Sequence, residues 1–295
     1  MPEETKSVLE TLQAGSGWLE KKGVPEARRN MEHLLAHVLG IKRLDLYLQF
    51  DRPLGESELV PLRALLQRRG KREPLQHLLG TVDFLGRIFK SDARALIPRP
   101  ETEELVEKLL KEFSSAPPAR VADIGCGSGV IGLSLALAWP ESEVTLIDLG
   151  ADALALAKEN AVLLGLEEKR VRFLQGDLLA PVKGEKFDLI AANLPYLPAA
   201  DMASLDPEVT FDPVLALDGG GDGLEIIRRL VAALPSALAP GGLAAFEVGL
   251  GQGAATAALL EAAGLPDARC ELDFQGADRF VFARQPNHHA PPAGA

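Results

Sequence analysis

One stretch, VADIGCGSGVIGLSLALA at residues 121–138, constrains this chain more than any other. Val121, Ala122 and Ile124 suit a buried strand, and from Val130 to Ala138 the sequence is helix-forming and almost wholly apolar. Between them, Gly125, Gly127 and Gly129 permit positive φ and open the backbone to a ligand that a Cβ would hold off. A strand that turns on glycines into a helix N-terminus presents a cradle of N–H groups to an anionic or polar ligand. Asp123, Gly125, Cys126, Gly127, Ser128 and Gly129 are therefore candidate ligand contacts. A dinucleotide fingerprint starting at Gly125 needs glycine where Val130 stands. The pattern is instead Asp-x-Gly-x-Gly-x-Gly, tighter by one residue.

At 295 residues the chain exceeds the usual single-domain size, so a large domain with a smaller companion is expected. A net charge of −11 argues against a protein whose affinity comes from neutralising nucleic-acid phosphates. Cys126 and Cys270 match no metal or disulfide spacing and suit a reducing cytosol. No metal site is expected, His288 and His289 included. No apolar run is long enough to span a bilayer, and MPEETKSVLE does not read as a signal peptide, so the expectation is a soluble cytoplasmic protein.

Residues 1–80 read as a small helical unit, expected to serve as a substrate-docking domain. Val8, Leu9, Leu12 and Leu19 recur at helical spacing, then Met31, Leu34, Leu35 and Val38, then Leu59, Leu62, Leu65 and Leu66 before Gly70. The basic run Arg68, Arg69, Lys71, Arg72 reads as solvated charge at a helix end or a docking face. Residues 81–98 suggest a β-hairpin turning at Gly86, and Pro100 with Glu101 and Glu103 opens a helix. From 99 to 285 strands and helices alternate, the sign of a mainly parallel sheet covered on both faces. The tail 286–295 has no core-forming residues and is expected to be disordered.

Strand ends carry the polar residues of interest, because open parallel sheets bind ligands beyond their carboxyl ends. Asp148 ends the second strand, where a carboxylate can accept both ribose hydroxyls. Asp177, followed by Leu178, reads as an exposed turn aspartate or, by resemblance to S-adenosylmethionine-dependent enzymes, as the acceptor of an adenine amine with the leucine against the ring. The apolar strand FDLIAA runs into Asn193, Leu194, Pro195 and Tyr196, and an asparagine at that place is poorly explained by packing. Residues 201–223, rich in Asp, Pro and Gly, read as a loop over the substrate side. Glu247 is a lesser candidate, with a structural ion pair as its expected role.

The glycine pattern resembles the first motif of class I S-adenosylmethionine-dependent methyltransferases. NLPY is similar to the Asn-Pro-Pro-Tyr tetrapeptide of those acting on planar, conjugated nitrogens. That resemblance implies that Asn193 Oδ1 and the Leu194 carbonyl accept from the target N–H groups, Tyr196 stacks on the flat target, and Pro195 stiffens the turn. Leu194 departs from the usual proline; its carbonyl survives the change, and the turn's rigidity is what is put in doubt. The helical N-terminal unit, LGTVDFLGRIF, IPRPETEELVE, DIGCGSG, NLPY and DPEVTFDPVLALDGGGDGLEIIRRL together resemble the HemK/PrmC family, over residues 5 to 284.

The resemblance implies a Rossmann-like α/β fold with a seven-stranded sheet. It also implies S-adenosyl-L-methionine as methyl donor, S-adenosyl-L-homocysteine as product, and the Gly-Gly-Gln glutamine of class 1 peptide chain release factors as substrate. The connector Arg99-Pro100-Glu101-Thr102-Glu103 favours that branch over a relative acting on a ribosomal protein, with Arg99 or Glu101 positioning substrate or serving only as surface charge and cap. A monomer without membrane or sequence-specific nucleic-acid binding is expected. A nucleic-acid amino-methyltransferase shares the tetrapeptide but calls for a basic cleft or a sizeable recognition domain.

Overall fold

A computed structural model describes residues 6–287. The chain divides into two compact units, one running up to residue 81 and including 206–211, the other made of 82–205 and 212 onward. The expected tail lies outside the described residues from 288 on. Among the described residues no helix is long and apolar enough to cross a membrane.

The first unit is helical: α1 (Val8–Lys21), α2 (Ala27–Leu39), α3 (Glu56–Arg69) and the short α4 (Leu75–Leu79). Ser7 and Glu10 form a capping box, each side chain accepting the other's backbone N–H, so α1 starts with two orphan donors satisfied. Leu12, Leu19, Met31, Leu34, Leu35 and Leu62 fill the core, as their spacing predicts. In the basic run at the end of α3, Arg68 and Lys71 are exposed as solvated charge, while Arg69 corrects that expectation. Arg69 is only 2% exposed, donating to Asn30 Oδ1, to the Glu73 carbonyl and to Glu208 Oε1. Arg72 donates to Glu208 and to both carboxylate oxygens of Asp206. A guanidinium this buried needs such partners, and segment 206–211 supplies them.

From Val82 on, the second unit opens with the rest of the hairpin β1 (Thr81–Phe84) and β2 (Arg87–Lys90), turning on Leu85 and Gly86, both at positive φ. There follow α5 (Pro100–Glu112), β3 (Arg120–Ile124), α6 (Val130–Ala138), β4 (Glu143–Asp148), α7 (Ala151–Leu163), β5 (Val171–Gln175) and β6 (Phe187–Asn193). Then come α8 (Glu225–Ala237), β7 (Leu238–Glu247), α9 (Gly253–Ala262), β8 (Arg269–Leu272) and β9 (Asp278–Arg284). Seven strands form one sheet in the order β5-β4-β3-β6-β7-β9-β8, parallel except for β9, which runs antiparallel to β7 and β8.

Side-chain alternation sorts the strand residues onto two faces. Val121, Leu146, Leu189, Ala191, Leu243 and Ala245 meet Leu105, Val106 and Leu109 of α5 and Leu133 of α6 in one core. Ala122, Ile124, Ile147, Ile190, Ala192, Ala244 and Phe246 meet Ile227, Leu230 and Leu234 of α8 in the other. The β6–β7 pairing is irregular at its start: Phe187 lies opposite Leu238 and Leu189 opposite Leu243. Residues 239–242 of β7 thus stand against Asp188 alone, and from there the register runs unbroken to Asn193 opposite Glu247.

Candidate active site

The glycine turn leaves β3 with Gly125, Gly127 and Gly129 at φ +69°, +54° and +84°, the left-handed region where an L side chain costs about 1–2 kcal/mol. The Gly125 and Cys126 N–H groups donate to the Ile147 carbonyl at 2.8 and 3.1 Å, pinning the turn to β4. The Gly127 N–H donates to Asp148 Oδ2 and the Gly150 N–H to Asp148 Oδ1, both at 2.8 Å. Each carboxylate oxygen keeps lone-pair capacity for a further donor. Burial pushes the Asp148 carboxyl above the ordinary aspartate range.

Beyond these strand ends lies a cavity of about 480 Å³, within the usual size for a small-ligand site. Gly125, Cys126, Gly127 and Ser128 line it, as do Asp148, Asp177, Leu178, Asn193, Leu194 and Pro195. Ala95, Leu96 and Pro98 from the segment after β2, Leu149 after β4, and Pro213, Leu215 and Ala216 from the later loop add apolar wall. Arg94 and Arg229 also border it. Nothing in the local sequence marks these two as site residues.

Three expected residues fall outside the lining. Asp123 shares its strand face with Val121, so its side chain turns beneath α6, where Oδ2 accepts from the Gly132 N–H at 2.8 Å. It is fully buried, Oδ1 has no partner among the described residues, and burial raises its pKa to about 7. Gly129 caps α6 and packs against Leu133, Leu146 and Ala157. Tyr196 sits behind the turn, its carbonyl accepting from Gln252 Nε2 at 2.9 Å and its ring beside Gly249. The cavity's outline therefore gives no support to its stacking role. Asp177 borders the cavity and is exposed, as one of its two expected readings has it, and its carboxylate is ion-paired with Arg229.

The glycine run 218–223 backs the NLPY turn. A Cβ on Gly219 would lie 2.8 Å from the Pro195 carbonyl oxygen, and one on Gly223 only 2.3 Å from that of Tyr196. Leu194 is buried in the α8-side core and reaches toward Gly125, whose hypothetical Cβ would stand 2.8 Å from Leu194 Cδ2. Arg99 reaches Asp212 rather than the cavity; burial lifts that carboxyl to about 6 despite the guanidinium.

Thr102 is the residue that reading the sequence missed. Its hydroxyl donates to Glu247 Oε2 at 2.7 Å and accepts from Asn193 Nδ2 at 3.2 Å. Glu247, expected in an ion pair, is hydrogen-bonded to this hydroxyl and faces the Asn193 side chain directly as well, and burial raises it to about 7. Among the described residues no cluster of three or more His, Cys, Asp or Glu side chains is placed to hold a metal ion.

Comparison with known proteins extends this picture. Residues 10–80 match a PrmC N-terminal domain and residues 101–207 a methyltransferase small domain. The fold is similar to that of a T. thermophilus 16S rRNA methyltransferase in complex with AdoMet and guanosine (TM-score 0.51, 17% identity), over 70% of this chain and 49% of that one. It is also similar to a methyltransferase from Pyrococcus furiosus (TM-score 0.52, 16% identity), over 68% and 90% of the two chains. Sheet order, domain match and a glycine turn facing a strand-end carboxylate make the chain a class I S-adenosylmethionine-dependent methyltransferase. It is 42% identical to a release factor glutamine methyltransferase of Geobacter sulfurreducens, over 95% of this chain and 98% of that one. It is 44% identical to one of Deinococcus radiodurans, over 90% and 94%. The chain belongs to the release factor glutamine methyltransferase family.

Proposed function

We propose that the chain methylates the side-chain amide nitrogen of a glutamine in peptide chain release factors, the Gly-Gly-Gln glutamine of class 1 factors in particular. The observation that carries this reading is that one cavity is lined both by Asp148 with the glycine turn and by Asn193, Leu194 and Pro195. Donor and acceptor subsites are then one space. The residues present fit S-adenosylmethionine: Gly127 leaves room that a Cβ would fill, and Asp148 retains acceptor capacity for two ribose hydroxyls. When bound, it supplies an electrophilic methyl group on a sulfonium.

An amide nitrogen is a weak nucleophile because its lone pair is delocalised into the carbonyl. Asn193 Oδ1 and the Leu194 carbonyl accept its two N–H groups and so aim the nitrogen. These contacts strengthen as the nitrogen gains positive charge, which favours the transition state over the bound amide. The apolar wall of Leu96, Leu194 and Leu215 keeps water from the methyl donor. No general base is required, since the N-methylated cation is acidic enough to lose its proton to water. In this reading the enzyme is a cytoplasmic monomer, which cell fractionation and sedimentation check.

Transfer of labelled methyl to a purified release factor tests the reaction, with a ribosomal protein as the competing acceptor. Incorporation is expected in the release factor and is lost when its Gly-Gly-Gln glutamine is replaced. Asn193→Ala lowers kcat by about 100-fold or more while donor affinity stays within a few-fold. Near-normal turnover in that variant would remove Asn193 from the mechanism.

A further inference from the structure

Asn193 and Glu247 are register partners on neighbouring strands, so both side chains leave the sheet on the face covered by α5. Thr102 stands in the first turn of that helix, one turn before Leu105 and Val106, which enter the same core. The three side chains meet there, Glu247 at 1% and Thr102 at 3% exposure, and both Thr102 and Asn193 border the cavity. We propose that Glu247, acting through the Thr102 hydroxyl, is a positioning residue that decides which end of the Asn193 amide faces the substrate. The proposal rests on the glutamine-methylating reading, which needs an acceptor oxygen there and fails with an N–H.

A hydroxyl has one hydrogen to give. With Glu247 ionised, the Thr102 hydrogen is committed to Oε2, so Thr102 can only accept, and the group that Asn193 turns to it must be Nδ2. Oδ1 is then left for the cavity. With Glu247 protonated, the carboxylic acid can donate to Thr102, whose hydrogen swings to Asn193 and draws Oδ1 away from the cavity. An N–H would then confront the N–H groups of the target amide. The other charged or titratable groups facing Glu247 are Glu101 on α5, Arg279 on β9 and Tyr196 after β6, with the arginine favouring the ionised form and Glu101 opposing it. Burial brings the carboxyl to about 7, so both states are reached near neutrality.

Two measurements on the full-length protein test this. In the wild type, the ¹⁵N-detected side-chain amide of Asn193, assigned by its loss in Asn193→Ala, is expected to shift with a midpoint near pH 7. That shift is absent in Glu247→Gln. In methyl transfer to a release factor, Thr102→Val and Glu247→Gln are expected to lower kcat about tenfold or more with donor affinity within about twofold. Thr102→Ser recovers kcat to within about threefold, and the acid limb of the wild-type kcat profile disappears in Glu247→Gln. An Asn193 resonance that stays still in the wild type between about pH 5.5 and 8.5 overturns the proposal, Asn193→Ala being needed only for its assignment. A kcat in Glu247→Gln within twofold of wild type, acid limb intact, also overturns it. A titrating Asn193 amide in a protein that methylates no release factor upholds the relay and rejects the assigned substrate.

Discussion

Replacing Asp123 with asparagine separates the electrostatic cost of this buried carboxyl from its hydrogen bond. The folded-state pKa is raised from 3.8 to about 7 by burial. A raised pKa means that the native state holds the proton to higher pH than the unfolded chain does. The group therefore costs nothing below about pH 4, and its penalty grows as pH rises until the native state ionises near 7. At about 1.4 kcal/mol per pH unit, the wild type loses about 2 kcal/mol between pH 5.5 and 7 through this residue and little more above it. Asparagine does not titrate, and its Oδ1 can still accept from Gly132. Its NH₂ takes the place of the unpartnered Oδ1, a cost of about 1–3 kcal/mol that is the same at every pH and cancels between two pH values. Urea unfolding of both proteins at about pH 5.5 and 8.5 should show the stability difference moving toward the variant by about 2 kcal/mol at the higher pH. A difference that does not change with pH would refute the assignment of a strained, buried charge to Asp123.

Three further substitutions probe the site. Leu194→Ala is expected to cost about 2–4 kcal/mol in chemical unfolding because the side chain is buried, yet to leave kcat within about threefold because the backbone carbonyl remains; a collapse of kcat in a folded variant would mean that the side chain itself does the work. Gly223→Ala places a Cβ 2.3 Å from the Tyr196 carbonyl oxygen at φ +77°, so calorimetry should show a loss of about 2–5 kcal/mol, and steady-state assays a fall in kcat as the NLPY turn shifts. Asp148→Ala removes two backbone hydrogen bonds and the ribose acceptor together; titration calorimetry should find S-adenosylmethionine affinity reduced about tenfold or more, with kcat at saturation far less affected.

The strand, turn and helix at 121–138 were legible because glycine spacing and apolar runs state local backbone preferences directly. Asn193 was legible for a related reason, a polar residue closing an apolar strand. Asp123 was misread as a ligand contact although strand alternation, applied to Val121 and Asp123, puts both on the α6 face. Thr102 was not legible at all. Inside PRPETE it reads as the first turn of a helix, and its partners lie 91 and 145 residues away, a proximity that only the closed sheet creates. Arg69 shows the same gap between local pattern and tertiary partner: a basic residue at a helix end is solvated by default, and Glu208, 139 residues away, reverses that. The Asp177–Arg229 pair likewise joins a loop to a helix 52 residues on.

The uneven start of the β6–β7 ladder has an effect at the opposite rim of the sheet. Strand residues alternate sides one by one, so the extra length spent at residues 239–242 works as a ruler for everything downstream. Deleting one of those four residues and letting the ladder close up would set Val248 where Glu247 now stands, about six residues or 20 Å from the edit. The far end of a strand, touching no reactant, thereby dictates whether an acid or a hydrocarbon lies beside the asparagine.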